Sequence, residues 1–241
     1  MFGRKGLMIP ICVYERVIPE EDKDYTYTDE DITFVMHVYK DGQLADWSLG
    51  NLRKCYPKSR VLVIADGDPD PLLDTFAEKH GVEFQRTDRL MLLETGVAYL
   101  MNRMEQFLKK PTKYMIKIDP DTGFHRRFKY IPNYDVFGCV LYAKETGPYT
   151  IRGGFYGFSG DAVKEIYESD IFSNPDLEIH EWFVKRQGDI KLLEEDTTMM
   201  EACFLMGMDM GPFPEVFVAQ IYKPNRKLRF AVTHPCRGYK L

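Results

Sequence analysis

Five cysteines, an odd number and nowhere spaced as Cys-x-x-Cys, leave this 241-residue chain without the pattern of a zinc site or a disulfide scaffold. Cys12, Cys55, Cys139, Cys203 and Cys236 are scattered, and reduced, mostly buried thiols are expected of them. An excess of positive charge is also missing: 32 Lys and Arg stand against 37 Asp and Glu, a net −5. That balance argues against a dedicated nucleic-acid binder, which needs a basic footprint for the phosphate backbone. No apolar run approaches the roughly 20 residues of a membrane span. Near the start, Arg4-Lys5 precedes an apolar stretch from Leu7 to Val13. Pro10 interrupts it, and Tyr14-Glu15-Arg16 follows where the small residues of a cleavage site belong, so a soluble, cytoplasmic protein is expected. Repeats, low-complexity tracts and a recognisable linker are lacking as well. A chain of this length can bury a sizeable core, and one large domain is the simplest organisation.

The residues that are present alternate in character. After an acidic arm from Pro19 to Asp31, expected to be a loop or poorly ordered, Ile32 to Tyr39 is a continuous apolar run of buried-strand length. Leu44 to Tyr56 has helical spacing and stops at Pro57, and Val61 to Ala65 reads as a second buried strand ending at Asp66-Gly67-Asp68. Asp68 or Asp70 is placed to cap a helix over Pro71–Lys79, closed at His80-Gly81. A short strand at Val82–Gln85 and a helix over Glu94–Lys109 lead to a strand beginning near Lys113. This β-α-β-α-β-α-β order predicts a mostly parallel sheet with helices on both faces, whose ligands bind beyond the carboxyl ends of the strands. The second half is more irregular. It offers a strand over Asp135–Tyr142, a glycine–aromatic stretch from Gly153 to Gly160 and a helix over Asp161–Tyr167. A loop-rich region around Trp182, a helix over Thr198–Met206 and short strands at Val216–Ile221 and Arg229–Thr233 complete it.

The strand Lys113-Tyr114-Met115-Ile116-Lys117-Ile118 ends in Asp119-Pro120-Asp121-Thr122-Gly123. Alternate residues of an extended segment point the same way, so Asp119 and Asp121 can present two carboxylates to one point. Pro120 restricts the backbone between them. Hard divalent cations such as Mg²⁺ or Mn²⁺ take oxygen ligands and bridge to phosphates, which makes the pair a candidate metal–diphosphate site. Asp-x-Asp is short, however, and it is also common in solvated turns. Its position adds weight, because Asp66 and Asp119 both lie at the carboxyl ends of predicted strands, on one rim of the sheet.

The order of these features resembles the nucleotide-sugar glycosyltransferases of the GT-A type, from about Ile32 onward. The elements are Ala65-Asp66-Gly67-Asp68, Asp119-Pro120-Asp121, Gly153-Gly154-Phe155-Tyr156-Gly157-Phe158, Glu195-Asp196 before a helix, and a late His234. The resemblance implies a GT-A-like α/β fold: an arm over 1–31, a nucleotide-binding half over about 32–123, and a smaller acceptor half over about 124–241. It implies Asp119, Asp121 and His234 as metal ligands for Mn²⁺ or Mg²⁺, with Asp119, Arg237 and Lys240 also turned to the donor ribose or diphosphate. Asp66, His37 and Tyr39 would line the nucleoside pocket, although Ala65 stands where such families frequently have a first aspartate. Gly153, Gly154, Phe155, Tyr156 and Trp182 would form the acceptor wall. Asp196, ahead of Glu195, would be the base that deprotonates the acceptor hydroxyl. Glu194-Glu195-Asp196 also has a purely structural explanation, since acids favour a helix N-terminus and Thr198-x-x-Glu201 is a capping box.

The implied function is metal-dependent transfer of a sugar, with UDP-sugar as donor, to a carbohydrate or other hydroxyl acceptor. Glu195-Asp196 suggests inversion, whereas His234-x-x-x-Gly238-x-Lys240 resembles retaining members, so the stereochemistry stays open. Three alternatives differ at identifiable residues. A haloacid-dehalogenase phosphatase would carry Thr or Val four residues beyond the first Asp, where Gly123 stands. A sugar nucleotidyltransferase would carry a glycine-rich phosphate loop near the start. A non-catalytic nucleotide-sugar-binding module would keep the metal site without the base.

Overall fold

The computed structural model describes residues 18–67, 69–88, 96–143, 147–173, 195–218 and 230–234. Their main feature is a seven-stranded sheet with helices on both faces. In chain order its strands are β2 (Ile32–Val38), β3 (Arg60–Asp66), β4 (Glu83–Thr87), β5 (Tyr114–Ile118), β8 (Val136–Ala143), β9 (Gly147–Ser159) and β10 (Met210–Pro212). Across the sheet the order is β10-β8-β9-β5-β2-β3-β4. β4, β3, β2 and β5 are mutually parallel; β9 runs against β5 and β8, and β10 is parallel to β8. The expected mostly parallel α/β sheet is therefore present, with one reversed strand.

The first half follows the predicted alternation closely. β2 is buried at every position, as its unbroken apolar run requires. α1 (Gly42–Cys55) lays Ala45, Leu49 and Leu52 against Phe34 and Met36 on one face of the sheet. The single helix expected over Pro71–Lys79 is instead two short ones, α2 (Pro71–Asp74) and α3 (Phe76–His80). Asp70 caps the first by accepting from the Leu72 N–H at 2.9 Å, and Gly81 ends the second at φ 59°, a left-handed conformation that glycine adopts without strain. On the opposite face, α4 (Gly96–Leu108) packs Leu100, Met104 and Phe107 against Val35, Ile64 and Met115. α5 (Gly160–Glu168), capped by Ser159, and α6 (Glu195–Leu205) join that layer through Val163, Ile166, Met199 and Cys203.

Two segments to which the sequence assigned no regular structure take part in strands. The glycine–aromatic stretch Gly153–Ser159 is the end of β9, inside the sheet between β5 and β8. The acidic arm over Pro19–Asp31 is ordered: β1 (Lys23–Asp24) pairs with β7 (Ile131–Pro132), and Asp24 binds Lys113 and Tyr114. Asp24 and Asp29 have cationic partners on the body, Lys113 and Arg127, which is why their charge does not expel them. A small three-stranded sheet completes the described residues, with β12 (Val232–His234) between β11 (Val216–Val218) and β6 (Gly123–Phe124). No described helix is long and apolar enough to cross a membrane.

Candidate metal centre

β5 delivers the aspartates. The chain leaves the strand at Asp119 and turns at once: the Thr122 N–H donates to the Asp119 carbonyl at 3.1 Å, and the Asp119 N–H donates to the Thr122 hydroxyl at 3.1 Å. Ser48 of α1 donates to the Thr122 carbonyl at 2.7 Å, which ties the turn to the helix above it. Asp121 and Thr122 are buried. The turn then runs into β6, and β6 pairs antiparallel with β12, Gly123 opposite Thr233. His125 clasps the same strand, through its N–H to the Ala231 carbonyl at 2.9 Å and its ring to the Thr233 hydroxyl at 2.8 Å. This pairing brings His234 from far along the chain to the aspartates.

His234 Nε2 lies 3.1 Å from Asp119 Oδ2 and 2.9 Å from Asp121 Oδ1. One ligand atom from each of the three residues falls within 4.8 Å of the others, so the cluster can hold a metal ion. Two carboxylate oxygens and an imidazole nitrogen are a donor set that Mn²⁺ accepts and Mg²⁺ accepts less readily, since Mg²⁺ favours oxygen. Burial disfavours the imidazolium, but the hydrogen bonds it donates to Asp119 and Asp121 outweigh it and push His234 up to about 9. Burial would likewise raise the Asp119 carboxyl. The Lys117 charge, followed by the His234 hydrogen bond, outweighs it and keeps Asp119 well below the usual carboxylate range. The other ring nitrogen of His234, Nδ1, has no hydrogen-bond partner among the described residues and sits against Gly154, where a Cβ would overlap the ring.

The remaining predicted site residues distribute unevenly. Strand alternation places His37, Asp66, Lys117 and Asp119 on the α4 side of the sheet, at the carboxyl ends of three adjacent parallel strands. Asp66 is buried, with the Thr87 hydroxyl 3.4 Å from its Oδ1. His37 is also buried, its ring centre 3.9 Å from that of Tyr99 with the planes tilted, and neither ring nitrogen has a hydrogen-bond partner among the described residues. Burial first, then the charges of Arg103 and Lys117, push its pKa well below the ordinary value against a smaller pull from Asp119, so it is neutral. Tyr39 is half-buried in the bend after β2, beneath the Lys40 ammonium.

Of the proposed acceptor wall, Gly153 gives its carbonyl to Lys117 and Gly154 makes room for His234. Phe155 and Tyr156 are fully buried, Phe155 among Phe128 and Phe213 and Tyr156 on the opposite face of the sheet, so both rings are committed to packing. Glu195 and Asp196 open α6, as their helix-favouring position requires; their side chains lie outside the described residues. Asp68, Trp182, Glu194, Arg237 and Lys240 lie outside them altogether.

Two participants escaped the sequence reading. Lys117, buried in β5, places its ammonium 2.5 Å from Asp119 Oδ1 and against the Gly153 carbonyl. Arg103 of α4 is buried nearby, its guanidinium 5.2 Å from the ring centre of Tyr99 and 5.5 Å from that of Tyr156. A lysine two residues before Asp119 in an otherwise apolar strand was the available signal for the first. Arg103 had none, since charged residues on a predicted helix are ordinarily read as its solvent face. No protein-family model matches this chain, and no curated protein does either.

Proposed function

We propose that this protein is a GT-A type glycosyltransferase that binds a nucleoside-diphosphate sugar through a divalent cation and passes the sugar to a hydroxyl acceptor. The observation behind this reading is the convergence of Asp119, Asp121 and His234 at the carboxyl end of a central parallel strand. A cation held by these three residues would supply Lewis-acid chemistry, offsetting charge on the departing nucleoside diphosphate. The parallel β4-β3-β2-β5 half is the nucleotide-binding half in this reading, and buried Asp66 on the same rim accepts a hydrogen bond from the donor base, with UDP the preferred nucleotide. Asp196 is assigned as the base toward the acceptor, at the start of α6.

The test begins with calorimetric titration of UDP and GDP with and without Mn²⁺. Binding should depend on Mn²⁺ and disappear, a loss of at least tenfold in affinity, in Asp121→Ala. Failure of every nucleoside diphosphate to bind the folded wild type under any metal condition would sink the reading. Donor hydrolysis that is abolished in Asp196→Asn while binding is kept separates a transferase from a binding module.

A further inference from the structure

His234 reaches the aspartates on a short, lightly built element. β12 is three residues long and β6 two, and ladders this short are marginal by themselves. A metal-ligating histidine ordinarily fixes its ring by donating its second N–H to an oxygen. Nδ1 of His234 has no such partner among the described residues. The position of Nε2 therefore depends on where the backbone of β12 sits.

That backbone is gripped by the segment 125–129. His125 donates its N–H to the Ala231 carbonyl at 2.9 Å, and its ring nitrogen Nε2 lies 2.8 Å from the hydroxyl of Thr233, one residue before His234. Glu215 receives the Ala231 and Val232 N–H groups on its carbonyl, at 2.8 and 3.3 Å. Its carboxylate is in turn held by Arg126 at 3.0 Å and by the Lys129 N–H at 2.5 Å. The two residues between them engage the arm instead. Arg127 pairs with Asp29, and the Phe128 carbonyl accepts from the Tyr27 hydroxyl at 2.6 Å. Asp29 is itself fixed to the body by the Lys58 N–H at 3.0 Å and, through its carbonyl, by the Ser59 hydroxyl at 2.8 Å.

We infer that Tyr27 and Asp29 of the N-terminal arm are positioning residues for the candidate metal centre. They hold 125–129, and 125–129 holds β12 with His234 beside Asp119 and Asp121. The inference rests on the metal-site reading above, and it adds an element remote in sequence from all three ligands. A displacement of about 0.5 Å at a ligand is enough to degrade such a constellation, so loosening the arm is felt at the metal.

Equilibrium dialysis of Mn²⁺ against the full chain, with UDP present on both sides, tests it. Tyr27→Phe removes one hydroxyl and keeps the ring, and Asp29→Asn removes the charge facing Arg127. Each should weaken Mn²⁺ uptake about fivefold. Val82→Ala truncates a buried side chain at the amino end of β4, the opposite end of the sheet from the site. It should lower the melting temperature at least as much and leave the Mn²⁺ affinity at the wild-type value. The effect of Tyr27→Phe should shrink in a His125→Ala background, because the two act in one chain of contacts, whereas independent effects add. His125→Asn serves in that cycle if the alanine variant does not fold, as judged by a thermal melt. The inference is overturned if either arm variant binds Mn²⁺ as the wild type does, if Val82→Ala weakens binding equally for the same loss of melting temperature, or if the Tyr27 and His125 effects are additive. Those results leave the metal site standing. Failure of the folded wild type to take up Mn²⁺ with UDP removes the metal-site reading and this inference with it.

Discussion

At the scale of single residues, Gly154 is tied to the candidate metal centre without being able to ligate anything. A Cβ at this position would overlap Nδ1 and Cε1 of His234, so only glycine lets the imidazole lie flat against β9 with Nε2 turned to the two aspartates. Gly154→Ala should move the ring rather than the strand, because β9 is hydrogen-bonded on both sides. The expected cost is about 1–3 kcal/mol of stability from overpacking. Mn²⁺-dependent nucleotide binding should fall at least tenfold in calorimetry, out of proportion to the shift in melting temperature; unchanged affinity would show that His234 is not held by this contact. Asp119 and Asp121 were readable as candidate ligands because they follow a strand-like run, whereas His234 entered only through the family resemblance. The roles of Lys117 and Gly154 were not readable. A lysine in a strand and a glycine in a glycine-rich run acquire meaning only once β9 is known to lie beside β5.

At the scale of elements, the acidic arm shows how partners reverse an expectation drawn from composition. Asp24 accepts from Lys113 and Tyr114 at 2.8 Å through one oxygen, and from the Thr26 N–H and hydroxyl at 2.8 Å through the other. Asp29 in turn accepts from the Lys58 N–H at 3.0 Å and pairs with Arg127. Burial opposes ionisation of Asp24, yet the bonds from Lys113, Thr26 and Tyr114 outweigh it and hold its carboxyl well below the usual range. A carboxyl depressed in the folded state contributes stability that is present above its unfolded value near pH 4 and is lost as pH falls through the folded one. Asp24→Asn should therefore destabilise by about 1–3 kcal/mol at pH 7. The difference from wild type should narrow below about pH 4 in urea melts followed across pH, and a constant difference would show that the charge is not what ties the arm down. Apolar periodicity gave the strands and helices up to β5 within a few residues, because each buries a regular face. It was silent on the arm and on β9, whose placement depends on contacts distant in sequence.

At the scale of the whole molecule, the candidate site is a junction between two sheets. The large sheet supplies Asp119 from the end of β5, and the small one supplies His234 from β12, with β6 leading directly out of the aspartate turn. The β-α alternation foretold the parallel half, while the joining of β6 to β12 follows no local pattern and could not be read from spacing. A ligand that engages all three side chains binds both sheets at once, so its binding energy adds to the stability of their junction. In the presence of Mn²⁺ and UDP at about 100 times the dissociation constant, the folded state should gain about 2.7 kcal/mol, measured as a rise in melting temperature absent from Asp121→Ala. Hydrogen exchange should slow most at Gly123–Phe124 and Val232–His234, the strands that close the site, and least at Lys23–Asp24, which pairs away from it. Equal protection of all three segments would mean that the ligand stabilises the fold from elsewhere, and the junction would then be structural.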